Sequence, residues 1–240
     1  MKKEESFRIF SPSEIEIHDW DIKGEEYRRI MRKVEKIIRY QKKYAIKKGI
    51  KGFIFYGDVG LGKTTVAKAI ANRLSSYLFF VDGKDIARPL YGEAEDQIGK
   101  IFRSANIGKH TLILIDDCES VFPARDWAKG ASWHVAQNNV FFHELDGLDT
   151  SKIAVILTTN RYDLLDKAIK DRLMSIEFPK PTKETLKEIA VEKQKELKLK
   201  DIDPVMLEIK DGKYETIRSL EKRIMELYVR QIAGGSELDE

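Results

Sequence analysis

The chain has 240 residues, with 43 Lys and Arg against 40 Asp and Glu; the net charge of +3 argues against a strongly basic nucleic-acid binder and leaves room only for local patches. Hydrophobic residues make up 42%, enough for a packed core, and no apolar run approaches the roughly 20 residues of a membrane span. Charged residues reach 35% and are rich in Lys and Glu, a thermophile-like composition, while the single Cys118 excludes an internal disulfide and suits a reducing cytoplasm.

Taken in chain order, residues 1–14 read as a loose N-terminal arm. Met1-Lys2-Lys3-Glu4-Glu5 leads into no apolar signal core, so a soluble, cytoplasmic protein is expected. Four short apolar runs follow, at 53–56, 78–81, 112–115 and 154–157, each bounded by Gly, Asp or Asn. Amphipathic stretches separate them, with helical spacing in Val66, Ala69, Ile70 and Leu74 and in Ile98, Ile101, Phe102 and Ala105. Buried strands alternating with helices predict an α/β fold over 15–178, a parallel sheet with helices on both faces. Pro179-Lys180-Pro181-Thr182 reads as a stiff linker whose Thr caps a helix. The charged segments 183–200 and 214–232, with Leu220, Ile224 and Leu227 on one face, predict a small α-helical lid domain over 179–240. From Gly234 onward the tail is expected to fray.

Gly57-Asp58-Val59-Gly60-Leu61-Gly62-Lys63-Thr64 fits G-x-x-x-x-G-K-[ST], between an apolar strand and a helix beginning near Lys63. Glycines let the backbone curl so that successive N–H groups face one phosphate, and the helix N-terminus adds partial positive charge. Lys63 is expected to reach the β- and γ-phosphates of ATP and Thr64 to ligate Mg2+. Downstream, the strand 111–115 ends in Asp116 and Asp117. Asp116 takes the Walker B role of holding magnesium, and Asp117 stands where a base polarises the attacking water. Thr158-Thr159-Asn160 ends another apolar strand, where the Asn160 amide can position water near the γ-phosphate or simply cap the strand.

With these motifs in place, the chain resembles an AAA ATPase of the group containing katanin, FtsH proteases and valosin-containing protein, from about Asp19 to about Ile232. Ile50–Gly57 resembles the strand entering the family's P-loop, Asn138–Leu148 the segment before sensor 1, Thr158-Thr159-Asn160-Arg161 sensor 1 itself, and Leu164–Ile169 the stretch leading to the arginine fingers. The resemblance implies a homo-oligomeric ring, usually a hexamer, with ATP bound between neighbours and a polypeptide or adaptor as partner. It implies phosphate-loop contacts from Asp58, Val59, Gly60, Leu61, Gly62, Lys63, Thr64 and Thr65, and adenine contacts from Asp21, Ile22 and Ile189, although Lys23 stands where a Gly is usual. Leu90 and Tyr91 fall at the family's pore loop. Pro89, Gly92, Glu93 and Glu95 around them also argue for an exposed loop, against the ordinary reading of a core aromatic.

The chain departs from the family pattern at four places. Asp117 replaces the usual Glu, one methylene shorter, and positioning errors near 1 Å cost about 100-fold. The arginine-finger segment is shortened, leaving Arg172 at the first finger and Ser175 at the second. Arg218 stands at a sensor 2 position that many members of the group lack. Asp58 and Val59 replace Pro-Pro. Arg172 could instead pair with Asp171 or Glu177, and Arg218 with Glu221 or Glu215. Three readings of function result: a ring motor pulling polypeptide, an ATP-controlled assembly switch with slow hydrolysis, and a nucleic-acid remodeller, the last disfavoured by the near-neutral charge.

Overall fold

A computed structural model describes residues 7–86, 93–107, 109–124 and 133–233. Six strands form one sheet: β1 (Arg8–Phe10), β2 (Gly52–Tyr56), β3 (Tyr77–Asp82), β4 (Thr111–Asp116), β5 (Ile153–Thr159) and β6 (Met174–Glu177), in the order β1-β3-β4-β5-β2-β6. All neighbours are parallel except β1, which runs antiparallel along the edge of β3. The helices among the described residues are α1 (Glu25–Lys43), α2 (Lys63–Arg73), α3 (Gly83–Ile86), α4 (Glu93–Ala105), α5 (Trp133–Asp146), α6 (Lys167–Arg172), α7 (Lys183–Leu197), α8 (Asp203–Lys210) and α9 (Ile217–Ile232).

The strand period of two sorts the core onto the two faces of the sheet. Ile54, Ile113, Ile115, Val155 and Leu157 pack with Ile98, Ile101 and Phe102 of α4 and Phe141 and Leu145 of α5. Their sequence neighbours Phe53, Phe55, Leu112, Leu114 and Ile156 point the other way, onto Val66, Ala67 and Ile70 of α2 and Met31, Val34 and Ile38 of α1. Both faces are covered, which is why the strands read as continuous apolar runs.

The arm is not loose over its second half. Phe7 is buried against Phe79, with ring centroids 5.7 Å apart, and Arg8–Phe10 completes the sheet edge. The C-terminal segment holds three helices where periodicity showed two. They enclose an apolar cluster of their own, including Leu186, Ile189, Val205, Ile209, Leu220 and Ile224. Thr182 caps α7 by accepting from the Thr185 N–H at 3.1 Å. Polar contacts join this bundle to the start of α1: Tyr27 Oη donates to the Pro179 carbonyl at 2.9 Å, Thr185 Oγ1 donates to Glu26 at 2.7 Å, and Arg28 pairs with Glu188 at 3.1 Å.

Candidate nucleotide site

The strand order brings the ends of β4, β5 and β2 side by side, so the three strand-end motifs share the carboxyl edge of the sheet. Open α/β sheets bind ligands at such an edge. Gly60 and Gly62 both lie at φ +80°, the left-handed region that glycine tolerates without cost, and Gly62 hands the chain directly into α2. Helices α6, α7 and α9 each have a side-chain cap, from Asp166, Thr182 and Thr216; the first turn of α2 has none and carries no acidic residue. Its N–H groups therefore remain available to an anion.

Lys63 is 6% exposed. Its ammonium donates to the Gly57 carbonyl at 2.8 Å, the Asp58 carbonyl at 2.7 Å and Asn160 Oδ1 at 2.6 Å. Burial lowers its pKa, partly offset by the nearby negative charges of Asp116, Glu119, Asp117 and Asp58. The Asn160 amide continues the chain, with Nδ2 donating to Asp117 Oδ1 at 3.2 Å. Lysine only donates and an ionised carboxylate only accepts, so just one orientation of the amide serves both. Next to it, Asp116 Oδ1 accepts from the Thr64 hydroxyl at 2.7 Å and from Thr158 Oγ1. The Asp117 backbone N–H reaches the same Thr158 hydroxyl at 3.3 Å.

Asp117 sits in the left-handed region, at φ 50° and ψ 48°. That conformation costs a non-glycine residue about 1 kcal/mol and turns the chain sharply off the strand. The turn is fixed by Ser120 Oγ donating to the Asp117 carbonyl at 2.9 Å, with Gly83 pressed so close that a Cβ there would lie 2.6 Å from the same carbonyl. Lys84 lies 3.5 Å from Asp117 Oδ2. Glu119, two residues on, has a buried Oε2 with no hydrogen-bond partner among the described residues. Cys118 between them is fully buried, and burial raises its thiol pKa.

A cleft of about 640 Å³ opens beside the loop. Asp21, Ile22, Gly60, Leu61, Gly62, Thr65, Ile189 and Arg218 all line it, so residues far apart in sequence converge on one cleft. The first turn of α9 rests on the phosphate loop: the Arg218 N–H donates to the Gly60 carbonyl at 3.3 Å, and a Cβ on Gly60 would lie 2.6 Å from that of Arg218. Glu215, one of the expected local partners of Arg218, pairs with Lys180 at 2.8 Å instead. Lys23 crosses the cleft to Glu192 at 2.7 Å. Asp58 and Val59 lie on the same loop, where Val59 is 48% exposed.

Arg172 stands elsewhere. It ends α6 just before β6, and Met174 is in register with Phe53 at the start of β2, so Arg172 lies at the amino edge of the sheet. Its guanidinium stacks 4.3 Å over the Phe142 ring and lies 3.9 Å from Asp146, rather than pairing with Asp171 or Glu177. Leu90 and Tyr91 fall outside the described residues.

Sequence reasoning passed over Lys84, Glu119, Glu192 and the role of Thr158. Thr158 lies inside a motif already noted, and Glu119 two residues past one. Lys84 and Glu192 carry no local signal, because each meets its partner only through the fold.

The geometry can be set beside known proteins. Residues 53–180 match the model of the ATPase family associated with various cellular activities (AAA). The Cell division cycle protein 48 homolog of Archaeoglobus fulgidus is 36% identical over 147 residues, 58% of this chain and 19% of that protein. Protein CdcH of Halobacterium salinarum is 35% identical over 135 residues, 53% of this chain and 18% of its own length. The peroxisomal ATPase PEX6 of Saccharomyces cerevisiae is 37% identical over 137 residues, 53% of this chain and 13% of its own. The matched segment thus spans less than a fifth of each relative.

Proposed function

Because the chain belongs to the AAA ATPase family, we propose that it binds ATP with Mg2+ at the carboxyl edge of the sheet and hydrolyses it as one subunit of a ring. The observation that carries this reading is the unbroken chain Lys63–Asn160–Asp117, which ties the phosphate loop, sensor 1 and the water-activating position into one bonded unit. Lys63 meets the β- and γ-phosphates, leaving its loop carbonyls as the anion arrives. The uncapped α2 N-terminus receives the remaining phosphate charge. Asp21, Ile22 and Ile189 hold the adenine, and Arg218 closes on the γ-phosphate from a helical lid formed by α7, α8 and α9.

The donor set at Asp116 and Thr64 consists of hard oxygens, and no cluster of three or more metal-ligating side chains occurs among the described residues. That suits magnesium, which prefers one or two protein oxygens plus phosphates and water. Bound there, the ion would neutralise charge on the phosphates. Asp117 takes the proton of the attacking water while Asn160 orients it, and Arg172, remote from its own site, serves the neighbour's. Asp117 reaches less far than Glu and is held by both Asn160 and Lys84, which supports a second reading, an assembly switch with slow turnover.

A homo-hexamer that remodels polypeptide, gripping it through Leu90 and Tyr91 in a cytoplasmic setting, fits the family. No helix among the described residues is long and apolar enough to cross a membrane. Steady-state ATPase measurement together with oligomeric mass, with and without ATP, tests the reading. Turnover that rises with assembly supports the motor. ATP-dependent assembly with negligible turnover selects the switch, and neither assembly nor turnover overturns both.

A further inference from the structure

The near-neutral net charge conceals a strongly uneven distribution. Residues 25–51 contain eleven Lys and Arg against three Glu, a net +8 in a chain whose total is +3. This segment is α1 and the turn after it. The apolar face of α1 is spent on the sheet, with Tyr27, Met31, Val34 and Ile38 buried. The outward face is left to cations that recur at about one per helical turn, a rise of about 5.4 Å, along Arg29, Lys33, Lys36 and Lys43. All three acids are engaged: Glu35 is buried between Arg39 and Arg73, Glu25 pairs with Arg32, and Glu26 accepts from Thr185. Lys33, Lys36, Lys43 and Lys48 have no carboxylate within ion-pair distance among the described residues. Lys42 registers the crowding: burial lowers its pKa, and the charge of Arg39 lowers it further.

Two aromatic rings sit within this track. Tyr40 and Tyr44, 45% and 60% exposed, stack with centroids 5.9 Å apart and planes 5° from parallel. Lys36 lies 5.9 Å from the Tyr40 centroid and Lys43 lies 5.4 Å from that of Tyr44. A groove of about 360 Å³ runs alongside, lined by Arg32, Lys36, Arg39, Tyr40 and Lys43 with buried Glu35 at its floor.

We propose that the outward face of α1 and the turn after it bind single-stranded nucleic acid, with phosphates on the cation track and bases on the Tyr40–Tyr44 pair. Cations spaced along a line follow a backbone of regular negative charge, and exposed rings offer stacking that any base can use. The lysines over the rings can exchange a ring face for a phosphate as a base takes their place. A membrane fits less well, because the apolar face a surface helix would insert is already buried in the core. An acidic peptide would use the charge and leave the stacked rings idle. The surface is separate from the nucleotide site, so its success or failure is independent of the ATPase reading.

The test is fluorescence anisotropy of a labelled 20-nucleotide oligouridine titrated with the full chain at 50 and 200 mM KCl. Engaging about four phosphates predicts a log–log salt slope of about −3. Combined Lys36→Gln and Lys43→Gln should weaken binding at least about tenfold at low salt and flatten the slope by about 1.4. Combined Tyr40→Ala and Tyr44→Ala should weaken it about tenfold and leave the slope unchanged, the result a purely electrostatic surface would not give. Unchanged thermal midpoints check that the variants are folded. No binding at 50 mM KCl overturns the proposal. So does full affinity in the tyrosine variant, or equal competition by polyglutamate or by phosphatidylserine vesicles, which would reassign the face to a general polyanion or a lipid surface.

Discussion

The two edges of the sheet hold their candidate functional side chains in opposite ways. At the carboxyl edge the central polar groups are bonded to one another: Lys63 donates three hydrogen bonds, Asn160 makes two, and Asp116 accepts from two hydroxyls. At the amino edge Arg172 rests on a ring face, donates to the Ala168 carbonyl at 3.2 Å and stands 3.9 Å from an exposed Asp146. Groups that act on the subunit's own nucleotide gain from being held before it arrives, since preorganised dipoles need no rearrangement during reaction. A group that acts on a neighbour must be free to leave its resting place. Tight at one edge and loose at the other is the arrangement expected of a subunit whose site is completed from outside.

Breaking the tight edge should have the largest effect. Lys63→Ala removes the phosphate counter-charge and one end of the bonded chain Lys63–Asn160–Asp117, and is expected to abolish ATP binding or turnover with the fold intact. Calorimetric titration with ATP checks this, and wild-type affinity would sink the phosphate-loop assignment. At the loose edge, Arg172→Ala is expected to cost about 10³-fold or more in turnover, the scale of an inserted arginine in other NTPases. The loss should depend on assembly. Mixing Arg172→Ala with Lys63→Ala subunits should restore partial activity, because some intact phosphate loops then adjoin intact arginines. Normal hydrolysis by the assembled Arg172→Ala protein would refute the role, and failure of mixed rings to recover would make it structural.

Asp117 tests whether tightness itself limits the chemistry. Asp117→Asn should keep ATP affinity and lose about 100-fold in single-turnover hydrolysis, the scale of general-base catalysis. Asp117→Glu should raise turnover more than it changes affinity, because the longer side chain regains reach. Equal rates for both variants and the parent would remove Asp117 from the chemistry.

The difference between the edges also explains what the sequence could disclose. The phosphate loop was legible because strand, glycine turn, Lys63 and helix follow one another within about twenty residues. The sheet's edge strands were not. β1 has only three residues and none fully buried, and β6 buries Ile176 alone, so neither leaves an apolar run. α8 escaped for a similar reason, with Val205 and Ile209 its only buried side chains. The partners of Arg172 lie on α5, 26 and 30 residues upstream, while the sequence offered the adjacent carboxylates Asp171 and Glu177. Contacts made by folding alone cannot be read from neighbours, and a net charge hides any segment balanced by the rest of the chain.

The smallest expected effect is at Asp146, and it separates a resting place from a working one. Its carboxylate is held below its usual pKa by a hydrogen bond from Lys51, with smaller help from the charges of Lys51, Arg172 and His143. The interaction is therefore complete above the ordinary carboxylate pKa and fades as pH falls through the lowered value. At 3.9 Å and largely exposed, the Arg172–Asp146 pair belongs to the class worth about 0–1 kcal/mol. If Asp146 merely parks Arg172, Asp146→Asn frees it, and turnover at pH 7 should rise, by at most about fivefold given that energy. The ratio of variant to parent should then approach one in acid, as the parent's Asp146 takes up its proton. A fall in turnover of tenfold or more at pH 7 would show instead that Asp146 aims Arg172 at its target, and that the loose edge is organised after all.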